Sequence, residues 1–303
     1  MFDNITNSTN CPDNEVISYV LTALYSFIFI GGVTGITLMS FLLFQSNTRS
    51  VTTTAVINLI VVHGIFLLTV PFRILYYIKN EWLLGDDFCK LVSAMIHVHL
   101  YLSFIFYVIT LVIRYLIFFN RKDKLEFYRT LHAVVASVAV WVLVVVIIFP
   151  LFFKEYGRNG KYDSSKCFQF QDEFMKLGVQ ILNYITIAII LAVVFAFLCM
   201  QICIIVGIVR KLQGPVLAYQ EFCAQMKSLF FILVMFFCFV PYHIFRIYYV
   251  QNVNDCKIVK YNDICLSLTA ISCFDMWSFV LQSNYFKQSK CMSLKNKFVC
   301  CHF

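Results

Sequence analysis

Apolar residues in this chain come in long unbroken runs, not in strict alternation. Six runs carry no Asp, Glu, Lys or Arg: Val16–Thr48, Ser50–Phe72, Leu91–Ile113, Thr130–Phe153, Leu177–Val209 and Ser228–Phe245. A seventh, Ile264–Phe286, is broken only by Asp275. A membrane-spanning helix needs about 20 apolar residues. Most runs reach that length, and Arg246 with its aromatic flank extends the sixth. Transmembrane strands would be about half as long and would alternate. The pattern predicts an all-α membrane protein, a bundle of seven transmembrane helices whose short connections make consecutive helices antiparallel neighbours. In the third, Cys89 and Arg114 would stand roughly 37 Å apart along the axis. That exceeds the ~30 Å hydrocarbon core, so the helix would hold a cysteine at one face and an arginine at the other.

Composition agrees with lipid as the solvent. Of 303 residues, 61% are hydrophobic and 13% charged, against about 45–50% and 25% in soluble domains. The first 15 residues carry no Lys or Arg, and the first run is too long for a signal-peptide core. That tail holds two glycosylation sequons, at Asn4 and Asn7, which are meaningful only on the lumenal side. The chain therefore divides into an extracellular glycosylated tail (1–15), the bundle (16–286) and a cytoplasmic tail (287–303). A short amphipathic helix along the membrane would begin near Tyr285-Phe286-Lys287. Lys and Arg are split almost evenly between the two sides, so the positive-inside bias is slight. Acids are scarce inside, only Asp123, Glu126 and Glu221, which concentrates the +8 net charge on the cytoplasmic face. That charge suits anionic membrane lipids or a docked cytoplasmic protein, and nothing points to nucleic acid.

The thirteen cysteines do not form one framework. Cys199, Cys203, Cys223, Cys238 and Cys273 fall in or beside spans, where they are expected to pack as small apolar groups. Cys11, Cys89, Cys167 and Cys256 fall in oxidising extracellular segments. Cys291, Cys300 and Cys301 lie in the cytoplasmic tail as palmitoylation candidates. Gly31, Gly32 and Gly35 in the first span allow another helix to approach closely. Pro241 kinks the sixth, where Phe239, His243 and Arg246 share one face. A transporter would show repeats or interrupted helices, and none is visible. An enzyme would need a catalytic or metal constellation. His97 and His99, two apart, diverge on a helix, and no catalytic group, cofactor or metal site is expected.

Asn58-Leu59, Trp82-Leu83-Leu84-Gly85 ahead of Cys89, Arg114-Tyr115, Trp141, Cys167, Cys238-Phe239-Val240-Pro241 and Phe286-Lys287 occur in order along nearly the whole chain. Through them the sequence resembles the rhodopsin-like (class A) G-protein-coupled receptors. Val70-Pro71-Phe72-Arg73 and Pro241-Tyr242-His243 with Arg246 resemble the branch that holds nucleotide, protease-activated and several lipid receptors. The resemblance implies a plasma-membrane receptor with an extracellular amino terminus that passes a ligand signal to a heterotrimeric G protein. It implies a Cys89–Cys167 bridge, consistent with each being the sole cysteine of its extracellular loop, and a second bridge from Cys11 to Cys256. It assigns Arg114 and Tyr115 to G-protein coupling, against the plain alternative of an arginine snorkelling at a helix end. Phe239 and Pro241 become a helix-kink switch.

The departures from the family pattern are as informative. Ile113 replaces the acid that would hold Arg114 at rest, which predicts raised basal activity or rest through other contacts. His63 stands where the family has a sodium-binding aspartate. Asp275 opens the seventh-span motif, but Met276 and Phe279 replace its proline and tyrosine. The resemblance sets His63, Ser103 and Asp275 together as a core polar switch, with His63 facing Asp275 either as a structural pair or as a pH-sensitive one. Sodium modulation should be weak. Arg73, His97, Tyr101, Tyr242, His243 and Arg246 form the candidate ligand pocket. Two guanidinium groups suit an anionic small molecule or acidic lipid; alternatively each arginine pairs with an outer-loop acid among Glu155, Asp172, Glu173, Asp255 and Asp263. The competing function is a weakly coupling or decoy membrane protein that binds ligand or partner receptors without signalling.

Overall fold

The computed structural model describes residues 15–45, 51–119, 126–144, 146, 166–168, 176–211, 220–253 and 255–277. All regular structure among them is helical: α1 (Glu15–Gln45), α2 (Val51–Lys79), α3 (Asp86–Phe119), α4 (Glu126–Leu143), α5 (Leu177–Lys211), α6 (Gln220–Val234), a π turn (Met235–Phe239), α7 (Val240–Gln251), α8 (Cys256–Thr269) and a 3-10 turn (Ala270–Phe274). Here α6, the π turn and α7 are the sixth span, and α8 with the 3-10 turn opens the seventh. Among the described residues, five helices are long and apolar enough to cross a bilayer: Glu15–Gln45, Thr53–Lys79, Asp86–Leu116, Leu177–Lys211 and Ala224–Gln251. Asn4, Asn7, Cys11, the tail helix and Cys291, Cys300 and Cys301 lie outside the described residues.

Each helix buries a stripe and turns its remaining apolar surface outward, as lipid-facing helices do. In α1 the buried residues are Leu21, Tyr25, Ile28, Gly32, Gly35 and Met39, a spacing of four and three that keeps to one face. Phe41 and Phe44 point away from the bundle. The glycines set how closely α1 meets the seventh span. A methyl group on Gly31 would overlap the Phe274 ring, and one on Gly35 would sit 3.1 Å from the Trp277 ring. Trp277 Nε1 donates to the Gly31 carbonyl, 2.9 Å away. Across the bundle, Trp141 Nε1 donates to Asn58 Oδ1 (3.1 Å) and Asn58 Nδ2 donates to Ser137 Oγ (2.7 Å), which ties α4 to α2.

The sixth span is not a helix kinked at proline alone. Pro241 lies in the first turn of α7, where a missing N–H costs little. The irregularity is the π turn just before it, which lodges one extra residue in the helix. At one end of the bundle Cys89 and Cys167 are bridged, with Cα atoms 5.8 Å apart. Cys256 is disulfide-bonded as well. Arg114 lies toward the other end of α3.

Candidate functional site

Three groups of polar side chains lie along the bundle, and α3 runs past all of them. The middle group is the most enclosed. His63 of α2 stands with Nε2 3.3 Å from Asp275 Oδ1 and Nδ1 2.8 Å from His99 Nε2 of α3. Cys273 Sγ lies 3.6 Å from that His63 nitrogen and 3.4 Å from that His99 nitrogen. The Tyr107 hydroxyl donates to Asp275 Oδ2 at 2.6 Å. Phe66 stacks on the His99 ring, centroids 4.4 Å apart. All of these side chains are buried, as is Ser103, whose hydroxyl has no hydrogen-bond partner among the described residues.

His99 and Cys273 belong to this group as well, beyond the His63, Ser103 and Asp275 expected there. Cys273 packs in the apolar core as expected, and its sulfur also sits against two imidazole nitrogens. Cys199 and Cys203, by contrast, are exposed on the bundle's outside, and Cys238 is half-buried. A signal for His99 was present, because it precedes Ser103 by one helical turn and so shares its face.

At the disulfide end, Arg73 is buried and nearly spent on its own protein. It donates to the carbonyls of Val92 (2.7 Å) and Ser93 (3.4 Å) and to the Tyr25 hydroxyl (3.4 Å). The Phe168 ring covers its guanidinium at 4.4 Å. Phe168 follows the bridged Cys167 and has φ +68°, a left-handed conformation that bulky residues rarely adopt. Its ring is boxed in by Tyr76, Tyr77 and Trp82. Sequence reasoning missed Phe168, because nothing in the local pattern marks a strained backbone.

Arg246 lies buried at the same end. It donates to Asn183 Oδ1 (3.3 Å) and Asn262 Oδ1 (3.4 Å) and lies over the Tyr242 and Tyr249 rings. Both arginines are within electrostatic reach of His97 and Asp263. Arg246 also reaches Tyr101. No carboxylate among the described residues lies within ion-pair distance of Arg73. His243 turns Nδ1 to the Phe239 carbonyl at 2.8 Å. The buried His243 Nε2 and Tyr242 hydroxyl lack hydrogen-bond partners among the described residues. The six residues expected to line a ligand pocket thus lie at one end of the bundle, together with Asn183, Asn262 and Asp263.

At the opposite end, Arg114 rests over the Phe231 ring, 4.9 Å from its centroid. Tyr115 is buried and donates its hydroxyl to Gln201 Oε1 at 2.7 Å. Gln201 Nε2 in turn donates to the Gln225 carbonyl at 2.8 Å and faces Gln225 Oε1 at 3.1 Å. This relay joins α3, α5 and α6. Phe231 also touches Tyr107, centroids 5.7 Å apart, and Tyr107 meets Phe239 at 6.1 Å. An unbroken series of contacts thus runs from Asp275 through Tyr107 and Phe231 to Arg114.

Comparison with known proteins fits this layout. Residues 35–275 match the family model described as 7 transmembrane receptor (rhodopsin family). The chain is 48% identical over 302 residues to human "Probable G-protein coupled receptor 141", covering 98% of each chain. It is 29% identical over 317 residues to "Probable G-protein coupled receptor 34" of Pan troglodytes, covering 98% of this chain and 81% of the relative. It is 26% identical over 312 residues to "2-oxoglutarate receptor 1" of Rattus norvegicus, covering 97% and 90%.

Proposed function

The chain belongs to the rhodopsin family of seven-transmembrane receptors, and from that premise we propose that it binds an anionic small molecule or acidic lipid at its disulfide end and couples to heterotrimeric G proteins through Arg114 and Tyr115. It is a multi-pass plasma-membrane receptor and not an enzyme. In the proposed orientation the amino terminus and the disulfide end are extracellular, and Arg114 faces the cytoplasm.

The observation that carries the ligand reading is Arg246. It is a buried guanidinium held by two amide oxygens and two tyrosine faces. A guanidinium set among amides and tyrosine rings at this end suits an anionic ligand, because its planar fork matches a carboxylate or a phosphate. One relative in the comparison is named for 2-oxoglutarate, a dicarboxylate, which supports this ligand class. Arg73 takes a different part: with its donors on α3 carbonyls, it contributes field and position beneath Phe168 more than a free fork.

Coupling rests on the contacts from Asp275 to Arg114. A ligand that shifts the sixth span at the pocket moves Phe239 against Tyr107 and Phe231 from under Arg114. Binding shifts the equilibrium only by its differential affinity for the two arrangements. The test measures G-protein recruitment on expression alone in the wild type, Arg114→Ala and Ile113→Asp, at matched surface levels. A receptor with leaky rest gives a wild-type signal that both substitutions lower. A signal absent in all three, with no gain on any anionic candidate that binds, would favour the decoy reading. Response to a confirmed agonist that survives Arg246→Ala unchanged would overturn the ligand assignment.

A further inference from the structure

We propose that the three donor atoms of His63, His99 and Cys273 form a site for a divalent transition ion of the zinc class in the middle of the bundle. This goes beyond the receptor reading and does not depend on which ligand or G protein the receptor uses.

The argument begins with geometry. His63 Nδ1, His99 Nε2 and Cys273 Sγ face one another at 2.8, 3.6 and 3.4 Å, all three within 4.8 Å of one another and all buried. A tetrahedral zinc with nitrogen bonds of about 2.0 Å and sulfur bonds of about 2.3 Å sets its donors roughly 3.3 Å (N to N) and 3.5 Å (N to S) apart. The two sulfur edges already have this length. The nitrogen edge is that of a hydrogen bond and must open by about half an ångström, which a small ring rotation supplies.

Donor chemistry narrows the ion. Sodium, magnesium and calcium prefer oxygen ligands, whereas two imidazoles and a thiolate select zinc and its neighbours. The next layer of contacts is also of the right kind. Imidazoles that bind metals commonly donate their remaining N–H to a carboxylate, which fixes the tautomer. His63 Nε2 stands 3.3 Å from Asp275 Oδ1, an ion-pair distance that a small ring rotation turns into such a bond, and Tyr107 anchors the other carboxylate oxygen. Ser103, one turn from His99, offers a buried hydroxyl without a partner among the described residues, suited to orient a water in the fourth position.

Charge balances without rearrangement. Two nitrogen lone pairs cannot face each other at 2.8 Å, so in the empty site one proton lies between the rings. Counting the N–H toward Asp275 and the outer N–H of His99, the pair of rings carries one positive charge, matched by the carboxylate. Binding releases the shared proton and the thiol proton to solvent. Metal–nitrogen bonds to His63 and His99 and a metal–sulfur bond to Cys273 replace them. The ion's two positive charges then meet one thiolate and one carboxylate, and the site is again neutral. Nothing is oxidised or reduced. A bare divalent ion in a low-dielectric interior would be prohibitive, and this donor set removes that obstacle. Because the donors come from α2, α3 and the seventh span, the bound ion would fasten three helices together.

The test uses the full chain, purified in detergent and stripped with a chelator, then titrated with zinc chloride and, separately, cobalt chloride. Zinc should raise the midpoint of thermal unfolding. Cobalt should give a thiolate-to-metal charge-transfer band together with tetrahedral ligand-field bands. Both responses should vanish in Cys273→Ser and in His99→Gln. Asp275→Asn should keep the cobalt spectrum but weaken binding by about 10- to 100-fold. Should the core variants fail to fold, a chain with Cys291, Cys300 and Cys301 all changed to Ser decides the matter. A charge-transfer band that persists there supports the site. A band lost there, retained in folded Cys273→Ser, or absent from the folded wild type overturns it.

Discussion

Phe231 presents its ring to Arg114 at 4.9 Å, and the energy of such a contact sets a scale for the receptor's resting bias. A guanidinium on an aromatic face is worth about 0.5–2 kcal/mol, a roughly 2- to 30-fold shift in a two-state equilibrium. Phe231→Leu, which keeps the apolar bulk and removes the π face, should therefore raise basal G-protein recruitment by a factor within that range at equal surface expression. Unchanged basal recruitment would show that Phe231 does not restrain Arg114. Steric limits are equally local at Gly31, where any side chain meets Phe274. Gly31→Val should lower the thermal midpoint by an amount equivalent to about 1–3 kcal/mol of overpacking, and adding Phe274→Ala should recover part of it. Some of this was legible in the sequence. The small residues of the first span announced a close approach, and the missing acid at Ile113 announced a different restraint on Arg114. The identity of that restraint was hidden, since Phe231 lies more than a hundred residues away in an apolar run with many phenylalanines.

Among the elements, the joint between α3, α5 and α6 is held by polar side chains within apolar runs. Tyr115, Gln201 and Gln225 form a relay whose members are all buried, and a buried amide left without a partner costs about 1–3 kcal/mol. Tyr115→Phe strands Gln201 Oε1 and should both lower the thermal midpoint of the inactive receptor and raise basal recruitment. Stability reduced without any change in basal signal would mean that the relay is only structural. The runs themselves gave away the helices, because a bilayer demands length and apolarity from every span alike. They did not reveal which polar residue points inward. Gln201 was an unremarked amide in the fifth run, and a polar group inside a span is the signal that should have singled it out. His63 and Asp275 were placed through family resemblance, whereas Cys273 was read by composition alone, which gives its core packing but not its contacts with two imidazoles.

At the scale of the whole molecule, the Cys89–Cys167 bridge closes 78 residues of chain and holds Phe168 over Arg73. Loop-closure entropy makes such a link worth on the order of 4 kcal/mol. Reductant, or Cys89→Ser, should lower the thermal midpoint and weaken agonist response more than basal signal, because the change lies at the pocket end. Equal loss of both would indicate general unfolding. The π turn at Met235–Phe239 has a consequence of another kind. One residue of an α-helix corresponds to about 100° of rotation, and the wider turn takes up one residue without that rotation. It thereby lets Phe231 below it and Tyr242, His243 and Arg246 above it all face the bundle. Deleting Phe237, whose side chain faces outward, should close the wide turn into a plain α-helical one and leave these three on the bundle side. Agonist response and basal recruitment should then both survive, and loss of agonist response alone would show that the width of the turn is itself needed for the signal. The span is in effect a shaft with a slip coupling that takes up one residue.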